Sequence, residues 1–588
     1  MDIESVIEGL DRLFADRESE KVEDYLSVHL EQALTEGDAG SAITIINELI
    51  GFYRDTSQYD KAEAYCSKLL PFMERAGLKD TLHYGTSCLN IANAYRASGR
   101  LEDSYYHYQK VLDIYEKILD KEDFRYASLY NNLALLHQEN KEFGKACEAL
   151  EKALSIVRLF PEAVVELGVT YTNLAASYMN AGNLDQAKDN SDKGLAIFQN
   201  GLEGDYHYSA ALCVAGDIYF AQGEYEKAVS CYEKGMLALK GHVGLTHAYF
   251  RIVSNLQTTF EKMGRPDSLK GLVISKDYYE TYGKKAFSKM GNLSGVAFAK
   301  VGEGSECFGL DDLLSKDHDF GPGFCVFVTK EQYAVSGKQL EEIYASLPAV
   351  FRGFEKPDII KEAPRNGVIV IEDFFGRILS LDEEETAYLV ERNTLPEKTW
   401  LRLSDWQLRT VTNGEIFDGD GSAFGNIYRN LKKGYPESVK KRKLAQLLGE
   451  MSQSGQYNYQ RMMRRQDVYG AAFMLHGFES HVIEFLYLVN DEYAPHDKWL
   501  MKEAGSLKKG QEILYDVKKL MGVIPDLEVY RKRDMIDWIG KDNEEDPVLS
   551  HIDRITRAIV NLLREEGFTK SSDPYLEQHI PYLFQSYQ

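Results

Sequence analysis

The chain has 588 residues, with 68 Lys and Arg set against 92 Asp and Glu for a formal net charge of −24. That length calls for several domains, and so acidic a chain excludes a surface built chiefly to attract nucleic acid or anionic lipid. Apolar residues at 44% and charged residues at 27% exclude general disorder, and 38 Tyr beside only 14 Pro point to long stretches of helix.

The start, Met1-Asp2-Ile3-Glu4, lacks the basic stretch and apolar core of a secretory signal. No run reaches the ~18 apolar residues of a membrane span. The expectation is a soluble, cytoplasmic protein with no membrane partner. Cys66, Cys88, Cys147, Cys213, Cys231, Cys307 and Cys325 are scattered, without a C-x-x-C pair, and read as buried free thiols.

The first half repeats. Tyr59-Asp60-Lys61-Ala62, Leu101-Glu102-Asp103-Ser104, Phe143-Gly144-Lys145-Ala146, Leu184-Asp185-Gln186-Ala187, Tyr225-Glu226-Lys227-Ala228 and Arg265-Pro266-Asp267-Ser268 recur at steps of 42, 42, 41, 41 and 40. Nine residues before the small position of the first five stand Tyr53, Tyr95, His137, Tyr178 and Tyr219, and Gly99, Gly182 and Gly223 stand five before three of them. Each unit is expected to be a helix, a short turn and a second helix, whose small residue lets the pair approach closely. On these residues the stretch from about 40 to 274 resembles tetratricopeptide repeats of the longer kind, with the first 40 residues as an irregular cap and the sixth unit closing the array. The resemblance implies a helical solenoid over 1–274 whose concave face holds a protein or peptide, with self-association into a homo-oligomer as a second option.

After Lys289-Met290-Gly291 the pattern turns strand-like. Val296–Val301, Phe324–Val328 and Gly367–Asp373 are short apolar runs bounded by Gly and acidic residues, and they predict a small sheet over 275–435. From about Pro436 to Tyr582 long amphipathic helices return, which gives a helical subdomain over 436–588. Gly304-Ser305 after the first strand is suited to close approach by phosphate at a strand-to-helix turn. If Asp317-x-Asp319 is extended, its two carboxylates project from one face and favour magnesium or manganese. A third acid is expected at the end of the Gly367–Asp373 run, where only one of Glu372 and Asp373 can share the face of the pair.

This constellation resembles the nucleotidyltransferase superfamily related to DNA polymerase beta, an α+β fold, and in particular a bacterial branch of undefined role. Gly304–Gly309, Asp317–Gly323, Asn413–Phe417, Gln456–Tyr459 with Arg461 and Arg465, and Tyr493-Ala494-Pro495 with Lys498-Trp499 carry the resemblance over roughly 275–588. Glu303 departs from it, since a small or apolar residue is usual there. The resemblance implies that Gly304 and Ser305 hold the phosphates of a nucleoside triphosphate, ATP first, with help from Arg465 and Lys498. Asp317, Asp319 and Glu372 become metal ligands and catalytic carboxylates for transfer of a nucleoside monophosphate to an acceptor. A small hydroxylated acceptor suits the helical half, and a long nucleic acid is disfavoured by the charge. A rival from another class is a non-catalytic nucleotide-binding scaffold that works through its repeats. His318, His476 and His481 read as structural, and Lys440-Lys441-Arg442-Lys443 reads as a solvated helix face.

Overall fold

The computed structural model describes residues 1–16, 18–291, 293–316, 319–532 and 544–584. It divides into two compact units. The first comprises Met1–Ile274 with two later segments, Asp311–Pro322 and Pro348–Pro357; the second comprises Ser275–Leu310, Gly323–Leu347 and Asp358–Gln588.

The first unit is a solenoid of antiparallel helix pairs. A leading pair, α1 (Ile3–Ala15) and α2 (Val22–Glu36), precedes α3 (Ala39–Asp55) and α4 (Tyr59–Arg75), α5 (Leu82–Ala97) and α6 (Leu101–Ile118), and α7 (Arg125–Glu139) and α8 (Phe143–Val157). Then come α9 (Val164–Asn180) and α10 (Leu184–Phe198), α11 (His207–Ala221) and α12 (Tyr225–Val243), and α13 (His247–Lys262). The small residues Ala62, Ser104, Ala146, Ala187 and Ala228 open the second helix of each pair and are buried, because a larger side chain would hold the helices apart.

The turn before each second helix needs one left-handed residue. Gly99, Gly182 and Gly223 supply it with φ of 81°, 83° and 77°, whereas Ser57 and Lys141 adopt φ 61° without the freedom of glycine. The sixth unit differs from its expected form: Ser268 lies in the turn that follows α13, not in a second helix, and the next helix, α14 (Gly271–Tyr278), begins three residues later. The solenoid also curls onto its own start, where the Ser19 hydroxyl donates to the His242 carbonyl at 2.6 Å.

The Asp311–Pro322 segment and a hairpin of β3 (Val350–Phe351) and β4 (Phe354–Glu355) pack on the last repeat. The buried Asp311 accepts the Gly271 N–H, and Lys316 donates to the Leu269 carbonyl at 2.7 Å. Phe320 meets Phe354 edge-on, with ring centroids 5.0 Å apart.

The second unit holds a four-stranded mixed sheet in the order β5-β2-β1-β6, formed by β1 (Ala297–Lys300), β2 (Cys325–Val328), β5 (Gly367–Val370) and β6 (Glu415–Asp418). β1 runs antiparallel to β2 and β6, and β2 runs parallel to β5. One face carries Ala299, Cys325, Phe327 and Ile369 into a core with helices Ile371–Leu379 and Ala423–Leu431, where Phe327 stacks on Phe424 at 3.7 Å. Helices Glu437–Met451, Val468–Val489 and Pro547–Glu565 enclose a second, wholly helical core.

Candidate functional site

Two places collect the chemistry. In the second unit, β1 ends at Lys300 and the chain turns through Val301–Gly304 into a single 3-10 turn, Ser305–Phe308. The longer helix expected after Gly304-Ser305 is absent, so little helix dipole faces a ligand there and the turn's own backbone must do the binding. Gly302 and Gly304 have φ of 122° and 118°, and a Cβ on Gly304 would lie 2.4 Å from the Glu306 carboxylate, so only glycine fits. The Asn413 side chain clamps this turn: its Nδ2 donates to the Gly302 carbonyl at 2.8 Å and its Oδ1 accepts the Gly302 N–H at 2.9 Å. Gly414 donates its N–H to the Cys307 carbonyl at 2.8 Å, and a Cβ there would lie 1.9 Å from the Lys300 carbonyl oxygen. The Asn413-Gly414 pair is therefore the mould of the turn.

Under the turn, Lys300 is buried with its Nζ 3.3 Å from Glu306 and 3.3 Å from the Arg365 carbonyl. Burial opposes its charge, but the Glu306 carboxylate outweighs burial and holds the ammonium pKa above its ordinary value. The pair cancels a negative charge that would otherwise repel phosphate. A lone Lys in the apolar run Val296–Val301 was the available sequence signal for this residue. Burial pushes the Cys325 thiol up to about 11 and the Cys307 thiol well above its usual value, so neither is a thiolate nucleophile at neutral pH.

The structure packs Trp499 on the end of this turn. Phe308 meets Trp499 with ring centroids 4.7 Å apart, and the Lys498 ammonium lies 4.3 Å over the Trp499 ring. Arg465 is exposed, just past helix Gln460–Arg464, and outside that chain of contacts. The unusual Glu303 is accounted for by an ion pair with Arg377 at 2.7 Å.

The acidic residues depart from expectation. Asp317 and His318 lie outside the described residues. Asp319 is exposed in a turn, not in a strand, and belongs to the first unit. Glu372 and Asp373 open helix Ile371–Leu379 and do not end a strand, because β5 stops at Val370. The Glu372 carboxylate accepts the Lys330 N–H at 3.2 Å, whereas Asp373 is exposed beside Arg377 on a cavity of about 540 Å³. Among the described residues no three His, Cys, Asp or Glu side chains converge to hold a metal ion.

The remaining candidates are simpler. The cysteines are free thiols, with Cys66, Cys88, Cys307 and Cys325 buried. His476 is exposed, and His481 lies 3.5 Å from Glu450. Lys440–Lys443 form ion pairs with Asp491, Glu437, Glu397 and Asp405, so this is a paired face and not a freely solvated one.

The second place is a cavity of about 980 Å³ inside the solenoid, walled by α1, α3 and α5 and by the Gly204–Tyr206 and His242–Val243 stretches. Asn47 of α3 donates to Ser87 Oγ at 3.0 Å, and Asn90 of α5 donates to the Asn47 carbonyl at 2.8 Å, which ties neighbouring repeats along this wall. Two repeats later, Asn173 likewise donates to the Asn131 side-chain oxygen at 3.1 Å.

Comparison with known proteins agrees with the solenoid. The tetratricopeptide repeat family matches residues 41–117, 85–159 and 166–236, and the family described as "Domain of unknown function (DUF4037)" matches residues 400–500. The first half is a tetratricopeptide array. Lipopolysaccharide assembly protein B of Escherichia coli (strain K12) is 24% identical over 158 residues, which is 27% of this chain and 36% of that protein. Protein KINESIN LIGHT CHAIN-RELATED 2 of Arabidopsis thaliana is 22% identical over 240 residues, or 37% of this chain and 33% of that protein. The chain thus spans about a third of the length of these curated relatives. Among solved structures, BtubC (BKLC) from P. vanneervenii is 20% identical with TM-score 0.29, covering 42% of this chain and 94% of its own. NprR in complex with its cognate peptide NprX is 14% identical with TM-score 0.35, covering 49% of this chain and 88% of its own. Among the described residues no helix is long and apolar enough to cross a membrane.

Proposed function

We propose that the second unit binds the phosphates of a nucleoside triphosphate, ATP first, at the Gly302–Ser305 turn and transfers its nucleoside monophosphate to a small hydroxylated acceptor, while the array holds a protein or peptide partner. The observation that supports this reading is the Phe308 to Trp499 contact at 4.7 Å, which packs the residue after Lys498 on the end of the glycine turn. A turn without side chains allows backbone N–H groups to reach phosphate oxygens, and a nearby cation offsets their charge. In the transfer, the acceptor hydroxyl oxygen attacks the α-phosphorus, the α–β bridging P–O bond breaks, pyrophosphate leaves and the hydroxyl proton passes to a carboxylate or to water. Lys498 would steady the departing pyrophosphate.

The Glu372 carboxylate, engaged by the Lys330 N–H, favours as a second reading a scaffold that binds nucleotide without transfer. Calorimetric titration of the full chain with ATP and magnesium tests the shared part: wild type binds, and Lys498→Ala weakens binding at least tenfold. Pyrophosphate release in a cell extract then separates the readings. Release that Glu372→Ala, in the second unit, abolishes supports transfer; binding without release, with every triphosphate tried, leaves the scaffold. No binding of any triphosphate overturns both.

A further inference from the structure

The cavity inside the solenoid is lined by the apolar side chains of Leu10, Phe14 and Ile43 together with acidic side chains, some of them on the same helices. Asp11, Glu48, Asp55 and Asp205 are the carboxylates among its described lining residues, and Arg54 is the one guanidinium. Arg54 is already committed: its Nε and Nη2 grip the two Asp55 oxygens at 2.8 and 3.2 Å. Asp205 is engaged by the His207 N–H at 2.8 Å. Asp11 of α1 and Glu48 of α3 are left facing the same space, both reached by solvent. Although solvent reaches it, Glu48 sits in a concavity whose walls, together with the Asp11 carboxylate, push its carboxyl pKa up against the opposing charge of Arg54. Two carboxylates that repel one another across a concavity lined in part by apolar side chains are relieved by a cation with an apolar stem.

We infer that this cavity takes an extended peptide segment of a partner protein anchored by a Lys or Arg side chain between Asp11 and Glu48, with a neighbouring apolar side chain against Leu10, Phe14 and Ile43. The inference deepens the reading of the array as a partner-binding half and rests on it. A volume of about 980 Å³ lies at the upper end of ligand-site sizes and accommodates more than one side chain. Asn47 and Asn90 also line the cavity, their amide N–H groups held by Ser87 and by the Asn47 carbonyl. Charge complementarity selects the occupant: an acidic peptide would add a third like charge beside Asp11 and Glu48.

The test is affinity selection on the full chain from randomised nonapeptide pools at low and high salt, with bound peptides read by mass spectrometry. Wild type should enrich Lys or Arg at one position at least fivefold over input, with an apolar residue close by, and 0.5 M salt should reduce that enrichment. Asp11→Asn/Glu48→Gln should erase the cationic preference while its melting curve stays that of wild type. Gly51→Trp offers a second route without altering charge. Gly51 lines the cavity with open space around an added Cβ, so the indole fills the site and should abolish selection altogether. Enrichment of acidic or purely neutral peptides that Gly51→Trp removes would leave a peptide groove and overturn the cationic anchor. Cationic enrichment that survives Asp11→Asn/Glu48→Gln overturns it as well, and enrichment of nothing overturns both the anchor and the array as a peptide holder.

Discussion

The buried Asp311 carboxylate accepts the Gly271 N–H at 3.0 Å, and through that bond the segment carrying Asp319 is built onto the last repeat of the array. Lys316, also buried, lies 3.7 Å from Asp311, and the Lys270 ammonium donates to the Asp311 carbonyl at 2.5 Å. Burial lowers the Lys316 pKa, with Asp311 acting against that shift. Removing the carboxylate leaves Lys316 buried without its counter-charge, a change that costs about 3–5 kcal/mol. Asp311→Ala should therefore lower the urea midpoint of the first unit and speed proteolytic cleavage near residues 311–322. Asp311→Ala/Lys316→Met should recover much of the loss, because an apolar replacement of both partners is tolerated better than one orphaned charge.

The repeats were legible in the sequence because their determinants are local: a small residue, a turn glycine and an aromatic residue recur at steps of 40–42 residues. The acidic residues were not. Gly367–Asp373 reads as one apolar run, yet Ile371, Phe374, Phe375, Ile378 and Leu379 are buried at helical spacing, and no Gly or Pro marks the passage from strand to helix at Val370. Asp319 precedes Gly321, where a Cβ would lie 2.0 Å from the Glu355 carbonyl, so packing on a distant hairpin fixes this turn and period-two patterning does not. Lys300 and Asn413 acquire their roles only through contacts made across the fold, with 111 residues between Gly302 and Asn413.

Asn413 offers a direct test of the glycine turn. It is 6% exposed, and it satisfies both the N–H and the carbonyl of Gly302. Asn413→Ala would leave two backbone groups without partners, at about 1–3 kcal/mol each. A loss of about 2–4 kcal/mol in the unfolding of the second unit is expected, together with weakened ATP binding. Asn413→Asp keeps the acceptor but not the donor, and should fall between the two in both measurements.

Glu479 makes stability depend on pH. It is 6% exposed on helix Val468–Val489, and burial raises its carboxyl pKa to about 7. Between the unfolded value near 4.5 and the folded value near 7, the folded state holds the extra proton, so this group's contribution is fully present below the lower value and is lost as pH rises through the upper. Glu479→Gln should be close to neutral at pH 5 and stabilising by about 2–3 kcal/mol at pH 8, as urea midpoints at the two pH values will show. Equal effects at both would mean that the carboxyl is charged throughout.

Lys141 and Ser57 occupy the left-handed turn position that Gly99, Gly182 and Gly223 fill in their sister repeats. A left-handed L-residue costs about 1–2 kcal/mol, and glycine returns part of that through the larger entropy of its unfolded chain. The net gain expected for Lys141→Gly is therefore up to about 1 kcal/mol, and Gly182→Ala should lose a comparable amount. At Gly182 an added Cβ meets nothing within 4 Å, so its penalty is purely one of backbone conformation. Thermal unfolding of the two variants, each beside wild type, should shift in opposite directions. Two shifts of the same sign would show that contacts of the Lys141 side chain, and not φ, decide the residue at this position.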